Sequence, residues 1–224
     1  YFSTYIEPFE PNIDSVFQDN VSDLIISKDG DGNIYWPQWE VNNIGDLVIG
    51  EGYQTKMQIG SILMVEGLSV IPEITPITIN QGWSIFGYFR KSGAPIVQML
   101  NPIVQEIIIV KNSQGDTYWP IYSVNLIGDL NPGEGYQIKM NSQQNLIYPP
   151  NTMTYAKSTI EIQSNKKYMT DLITDNSMTL GIPLSIWNIM PDYGDEIGVF
   201  NETGLLIGAS VFTGGNMAIA VWGD

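Results

Sequence analysis

The sequence predicts a mainly β protein with short helices: two tandem copies of a small β-rich module, then a unit of β-meander or sandwich type. Three observations lead there. A long stretch, Tyr35-Trp36-Pro37 through Gly50-Glu51-Gly52-Tyr53 to Met57, returns as Tyr118-Trp119-Pro120 through Gly133-Glu134-Gly135-Tyr136 to Met140, always 83 residues later and without a gap. A period of this size marks a domain-sized unit rather than a short solenoid repeat. Short apolar runs rich in β-branched and aromatic residues alternate with Gly, Asn and Asp clusters, the pattern of strands and turns. The repeat then stops near Ala156, and four further apolar runs follow. Residues 1–72 hold copy one, with its N-terminal strand missing, residues 73–155 hold copy two, and residues 156–224 form the C-terminal β unit.

Each element follows from its local chemistry. Residues 1–6 read as a strand, with residues 84–89 as counterpart after Gly82-Trp83. Ile13, Val16, Phe17, Val21 and Leu24, and likewise Ile96, Met99, Leu100, Ile103 and Ile107, are spaced as an amphipathic helix requires. Pro11 and Pro95 suit a helix start, and Pro102 limits the second helix to one or two turns. Residues 24–28 and 107–111 read as strands, each hairpinning through a polar turn into Tyr-Trp-Pro. Gly-Glu-Gly supplies a further turn, expected to be exposed, before a strand in which Tyr53, Thr55 and Met57 face inward. That strand is expected to hairpin into residues 62–65, and its counterpart into residues 146–148. Trp36 and Trp119 are expected to be mostly buried at equivalent places. In the tail, residues 178–182, 196–200, 205–212 and 217–222 are the strands, with turns at 201–204 and 213–216.

Composition narrows the function. Nine Lys and Arg against 24 Asp and Glu give a net charge of −15, which repels phosphate backbones and argues against nucleic-acid binding. The chain has no cysteine and no histidine, so disulfides, thiolate metal sites and the commonest general base are all excluded. No apolar run approaches the ~20 residues that span a bilayer, so no membrane insertion is expected. The chain opens at Tyr1 without an initiator Met, and copy one's Gly-Trp opening falls before it; the expectation is a segment cut from something longer, associating as a homo-oligomer or fibre through its sheet edges.

The repeated residues Gly82-Trp83-Ser84-Ile85-Phe86-Gly87-Tyr88, Ile-Ile-Val-Lys before a Gly turn, Tyr-Trp-Pro, and Gly-Asp-Leu running into Gly-Glu-Gly-Tyr-Gln-Ile-Lys-Met resemble a module of secreted surface proteins of marine Bacteroidetes and of structural, fibre-like proteins of marine bacteriophages. The tail from Gly194-Asp195-Glu196 to Trp222-Gly223-Asp224 is similar to a unit that accompanies those modules. The resemblance implies an extracellular, cell-surface or virion setting and a structural or adhesive role, without an active site.

Three sets of residues are candidates for chemistry. Tyr35, Trp39, Tyr118 and Tyr122 are candidates for an aromatic platform that binds a surface glycan, as in a carbohydrate-binding module, although adjacent strand residues face opposite sides and core packing competes for the same side chains. Asp29, Asp31 and Asn33 match three positions of a calcium loop, but Ile34 stands where that loop needs glycine, and the second copy lacks the acids. Asp46 with Glu51, and Asp129 with Glu134, raise a secreted glycoside hydrolase as a third reading. Lying beside turn glycines and duplicated whole, they are better explained as turn residues, so no enzyme and no cofactor is expected.

Overall fold

Both copies lay down the same elements in the same order. A four-residue helix, Ile13–Val16 or Ile96–Met99, precedes a strand, Leu24–Lys28 or Ile107–Lys111. Then come a short strand, Ile34–Trp36 or Thr117–Trp119, one turn of 3-10 helix, Pro37–Trp39 or Pro120–Tyr122, and a return strand, Val41–Asn42 or Val124–Asn125. Proline explains the switch: it lacks the N–H a strand would use and its fixed φ suits a first helical position. The residue leaving each turn is left-handed in both copies, Glu40 at φ 54° and Ser123 at φ 55°. Residues 101–106 form a 3-10 helix with Pro102 in its first turn, in keeping with the short helix expected there.

The computed structural model describes residues 1–158, 174 and 176–223, and the chain divides into two units, Tyr1–Val110 with Asp129–Ser158, and Lys111–Gly128 with Thr159–Asp224. Among the described residues no helix is long and apolar enough to cross a membrane.

In the first unit, copy one forms a four-stranded sheet in the order Val41–Asn42, Ile34–Trp36, Leu24–Lys28, Gln54–Met57. Ile13, Phe17, Leu24, Tyr35, Leu47 and Tyr53 close its core, each large side chain contributing about 1.5–3 kcal/mol by burial. In copy two, Gly135–Met140 pairs along its whole length with Gly82–Gly87.

The two copies hold each other reciprocally. Phe2 bridges both Tyr53 of its own copy and Glu134 of the other, while Phe86 pairs with Tyr136 and bridges Glu51. The hydrogen bonds repeat: Ser3 N–H donates to Gly133 O at 2.8 Å and Gly87 N–H to Gly50 O at 2.8 Å. Phe2 stacks on Tyr53 with centroids 5.3 Å apart, and Phe86 lies tilted against Tyr136 at 5.7 Å. Phe2 therefore corresponds to Phe86, an offset of 84 (86 − 2) rather than 83, so copy one carries one extra residue between this strand and Ile13. That corrects the gapless alignment of residues 1–6 with 84–89. At the centre a Cβ on Gly52 would lie 3.2 Å from the Gly135 Cα, so only glycine lets the two backbones pass. The Gly-Glu-Gly turns are thus not exposed as expected: Gly50, Gly52 and Gly135 are buried, because the other copy's strand crosses over them.

Neither expected hairpin forms. Residues 62–65 carry no strand; Gly67–Ser69 follows instead and pairs with Ile6–Pro8, at Gly67 so closely that a Cβ would overlap the Glu7 carbonyl oxygen. In copy two, Gly135–Met140 already has neighbours on both sides, Gly82–Gly87 and Ile107–Lys111, so Gln144–Leu146 pairs with Ile77–Ile79. The chain's one arginine, Arg90, is fully buried. Its guanidinium donates to the carbonyls of Pro150 and Met153 and lies 5.1 Å from the Tyr155 ring, tying the last residues of copy two to the strand end.

In the second unit, Thr117–Trp119 pairs with Val124–Asn125. The four tail strands form at Ser177–Ile182, Glu196–Phe200, Leu206–Val211 and Met217–Trp222, as two antiparallel ribbons, first with fourth and second with third. Ile182, Phe212, Met217, Ile219 and Val221 are their shared core, with Trp187, Ile197 and Ile207 against it. Gly208 lets the ribbons approach, since a Cβ there would overlap the Ala220 carbonyl oxygen.

Candidate functional site

The Tyr-Trp-Pro segment sorts its aromatics by strand alternation. Tyr35 and Tyr118 point inward and are 3% and 5% exposed; Tyr35 packs near Phe17, and burial with the neighbouring Asp14 pushes its hydroxyl up to about 12. They cannot form the expected glycan platform with Trp39 and Tyr122. Those two ride on the 3-10 turn and remain 64% and 45% exposed. Between them sit Trp36 and Trp119, half-buried. Each meets its turn partner edge to face, Trp36 with Trp39 at 6.2 Å and Trp119 with Tyr122 at 4.8 Å. Each copy therefore presents a two-ring aromatic lip.

Copy two's lip opens on a cleft of about 160 Å³ inside the second unit, lined by Trp119, Tyr122, Ile182, Pro183, Asn216 and Met217. The Trp119 ring lies over Gly181, where a Cβ would come within 3.0 Å of it. Asn216 fixes this arrangement: its side-chain amide donates to the Tyr122 carbonyl at 3.0 Å and accepts from Leu184 N–H at 2.9 Å. The cleft is thus apolar on most sides, with one amide rim.

The acidic candidates are engaged in scaffolding. Asp29 accepts from Asp31 N–H, Asn33 N–H and the Asn33 side-chain amide at 2.7–2.9 Å. In copy two the pair is exchanged: Asn112 accepts from Gln114 N–H and Asp116 N–H and donates to the Asp116 carboxylate. Either order closes the same turn, which accounts for Asp29 and Asn33 without calcium; Asp31 contributes its backbone N–H. Among the described residues no three Asp or Glu side chains converge as a metal site.

Glu51 and Glu134 each accept from the tyrosine two residues on, Tyr53 at 3.3 Å and Tyr136 at 2.6 Å. The same hydroxyls accept from Val48 N–H and Asn131 N–H. Burial, then the charge of Asp29, raises the Glu51 carboxyl above its ordinary range, while the Tyr53 hydroxyl pulls it back. Burial raises both tyrosines well above theirs. Asp46 accepts from the Asn12 side chain and Asp129 from Ser158 N–H.

No known protein family, curated protein or solved structure matches this chain. Its function therefore rests on this geometry. Sequence reasoning passed over Gly181, Asn216 and Arg90. The first two lie in the tail, where no repeat singles them out, and a lone arginine among acids carries no sign of burial.

Proposed function

We propose that this chain is a structural and adhesive segment of an extracellular filament, a cell-surface protein or a virion fibre. One observation carries the reading: the residues the repeat retains most strictly, Gly50 to Tyr53 and Gly133 to Tyr136, are engaged in joining one copy to the next. Their glycines admit the crossing backbones and their Glu–Tyr pairs brace the turns. A scaffold that transmits load between modules needs such joints. The carboxylates that a glycoside hydrolase would need are tied into the same turns, which speaks against that third reading. Immunogold electron microscopy of native source material tests the proposal. Gold in a line along an appendage or fibre supports it, and label confined to free secreted protein refutes it.

A carbohydrate-binding role is the second reading, favoured by the Trp119 and Tyr122 lip with its Asn216 rim. Sugar rings stack on such faces, and the apolar walls suit a ring's C–H edge. A glycan array probes it: signal lost in Tyr122→Ala favours this role, whereas a blank array favours a purely structural lip.

A further inference from the structure

The two copies present the same hairpin in two different states. In copy two the hairpin is covered by the tail ribbons. A Cβ on Gly115 would meet the Ala220 Cβ at 2.6 Å and the Trp222 ring at 3.0 Å, Trp119 lies over Gly181, and Asn216 donates to the Tyr122 carbonyl. Thr117, on the same strand face as Trp119, is 1% exposed and Val124 4% exposed. Copy one keeps Gly32, Trp36 and Val41 at the equivalent places, with Ile34 for Thr117 and Trp39 for Tyr122, and among the described residues no ribbon is packed on Gly32. Gly32, with φ 90° against 83° for Gly115, has nothing within 4 Å of its Cβ position. Ile34 and Val41, the counterparts of Thr117 and Val124, are only half-buried, and Trp39 projects.

We infer that copy one carries a second seat for a tail ribbon pair, and that the ribbons of a second copy of this chain fill it. The inference rests on the filament reading and supplies its contact. The interface needed is already formed once within the chain, between Gly115, Trp119 and the Tyr122 carbonyl on one side and Gly181, Asn216, Ala220 and Trp222 on the other, with Thr117 on the same strand face as Trp119. Gly32, Ile34, Trp36 and the Trp39 carbonyl repeat the first side. Ile34 is more apolar than the Thr117 it replaces, so covering it removes more apolar surface from water. The ribbons leave one seat to take the other, an exchange of the domain-swapping kind. A seat on copy one and ribbons at the tail are different surfaces, so the contact is heterologous and propagates head to tail instead of closing a dimer. At low concentration the intramolecular seat wins because both partners belong to one chain, at an effective concentration on the order of mM. Crowding along a surface or fibre tips the exchange outward. The charge of −15 per chain opposes it until salt shortens the Debye length, to about 3 Å near 1 M.

The chain's lack of cysteine gives a direct test. The double variant Gly32→Cys with Ala220→Cys places thiols where the Gly115 and Ala220 contact would recur between chains. Oxidised at high protein concentration and high salt, it is expected to give a ladder of multimers on a non-reducing gel, at least about tenfold above the variant Ile59→Cys with Ala220→Cys. Ile59 is exposed, as Gly32 is, but lies off the seat. Adding Ile34→Asp or Trp39→Asp to the first variant should abolish the ladder. Ala220→Cys alone should unfold at the wild-type temperature, which verifies that the cysteine at position 220 leaves the ribbons folded. The inference is overturned by a missing ladder at concentrations up to about 1 mM, by one that Ile34→Asp and Trp39→Asp leave intact, or by one no stronger than the Ile59 control. If the ladder fails while gold still decorates an appendage, this seat is removed and the filament reading stands.

Discussion

Replacing Gly52 by alanine probes the crossing of the two copies with a single methyl group. Neither Gly52 nor Gly135 has a positive φ, so alanine suits both backbones. On chain entropy alone it should stabilise by about 0.4–1 kcal/mol. The surroundings reverse that sign. The new Cβ at position 52 would lie 2.6 Å from an Ile85 methyl, 2.9 Å from the Phe86 carbonyl oxygen and 3.2 Å from the Gly135 Cα. The methyl can rotate away, but the two backbone atoms cannot move without opening the paired strands. Overpacking of this kind costs about 1–3 kcal/mol, which for a chain of this size lowers the Tm by roughly 2–12 °C at about 2–4 °C per kcal/mol. Gly135→Ala meets the Phe2 carbonyl oxygen at 2.8 Å and should behave alike. Each methyl would push the same backbones apart, so the double variant should cost less than the sum. Gly60→Ala, with nothing within 4 Å and no positive φ, is the control and should raise the Tm slightly. Thermal unfolding followed by circular dichroism measures all four. A Gly52→Ala protein as stable as Gly60→Ala would refute the close crossing.

Tyr136→Phe should cost about 1.5–3 kcal/mol, because it removes a hydrogen bond to the Glu134 carboxylate and leaves Asn131 N–H without its acceptor; Tyr53→Phe should cost less, its bond to Glu51 being longer, and urea unfolding of the pair checks the order. Because the folded-state pKa of Glu51 is raised, its contribution to stability is fully present below its unfolded pKa and is lost as pH rises through the folded one. Glu51→Gln should therefore gain stability relative to wild type at pH 7, and the gain should shrink on acidification toward pH 4; urea midpoints at both pH values that show a growing gain would contradict this. Exchanging Asp29→Asn with Asn33→Asp copies the turn of the second copy and should change stability by less than about 0.5 kcal/mol, whereas Asp29→Ala loses the acceptor for two backbone amides and should cost about 0.5–2 kcal/mol; calcium should shift the Tm of neither.

Much of the architecture was legible because it depends on local chemistry. Pro37 and Pro120 end strands wherever they stand, and the four tail strands lie within a residue or two of their apolar runs; alternation separates Tyr35 and Tyr118 from the adjacent tryptophans but does not say that the tyrosines are the more deeply buried of each pair. The pairing of distant segments was not legible. Ile62 to Val65 is as apolar as a strand, yet Gly67–Ser69 pairs because its glycine allows close approach to Glu7. The offset of 84 in the first strand is hidden by the constant 83 elsewhere, since one extra loop residue leaves every later match intact. For the candidate site, the aromatic residue types were legible and their grouping only in part. Trp39 and Tyr122 do stand out on a turn, but Gly32 and Gly115 are the same letter in the same motif, and only the three-dimensional neighbours distinguish an open glycine from a covered one.

The reciprocal joint also sets a clock. Ser3 reaches Glu134 across a separation of 131 residues, so at roughly 5–20 residues per second a ribosome needs roughly 7–26 s after making the first partner before it has made the second. Within that interval copy one can fold its helix and sheet, yet Gly52 N–H waits for Ile85 for part of it and Ser3 N–H waits for Gly133 for nearly all of it. Modules with the same joint residues on neighbouring nascent chains offer the same groups at the same moment. The order of synthesis, with copy two following on the same chain at high local concentration, is what makes the correct partner the first to arrive.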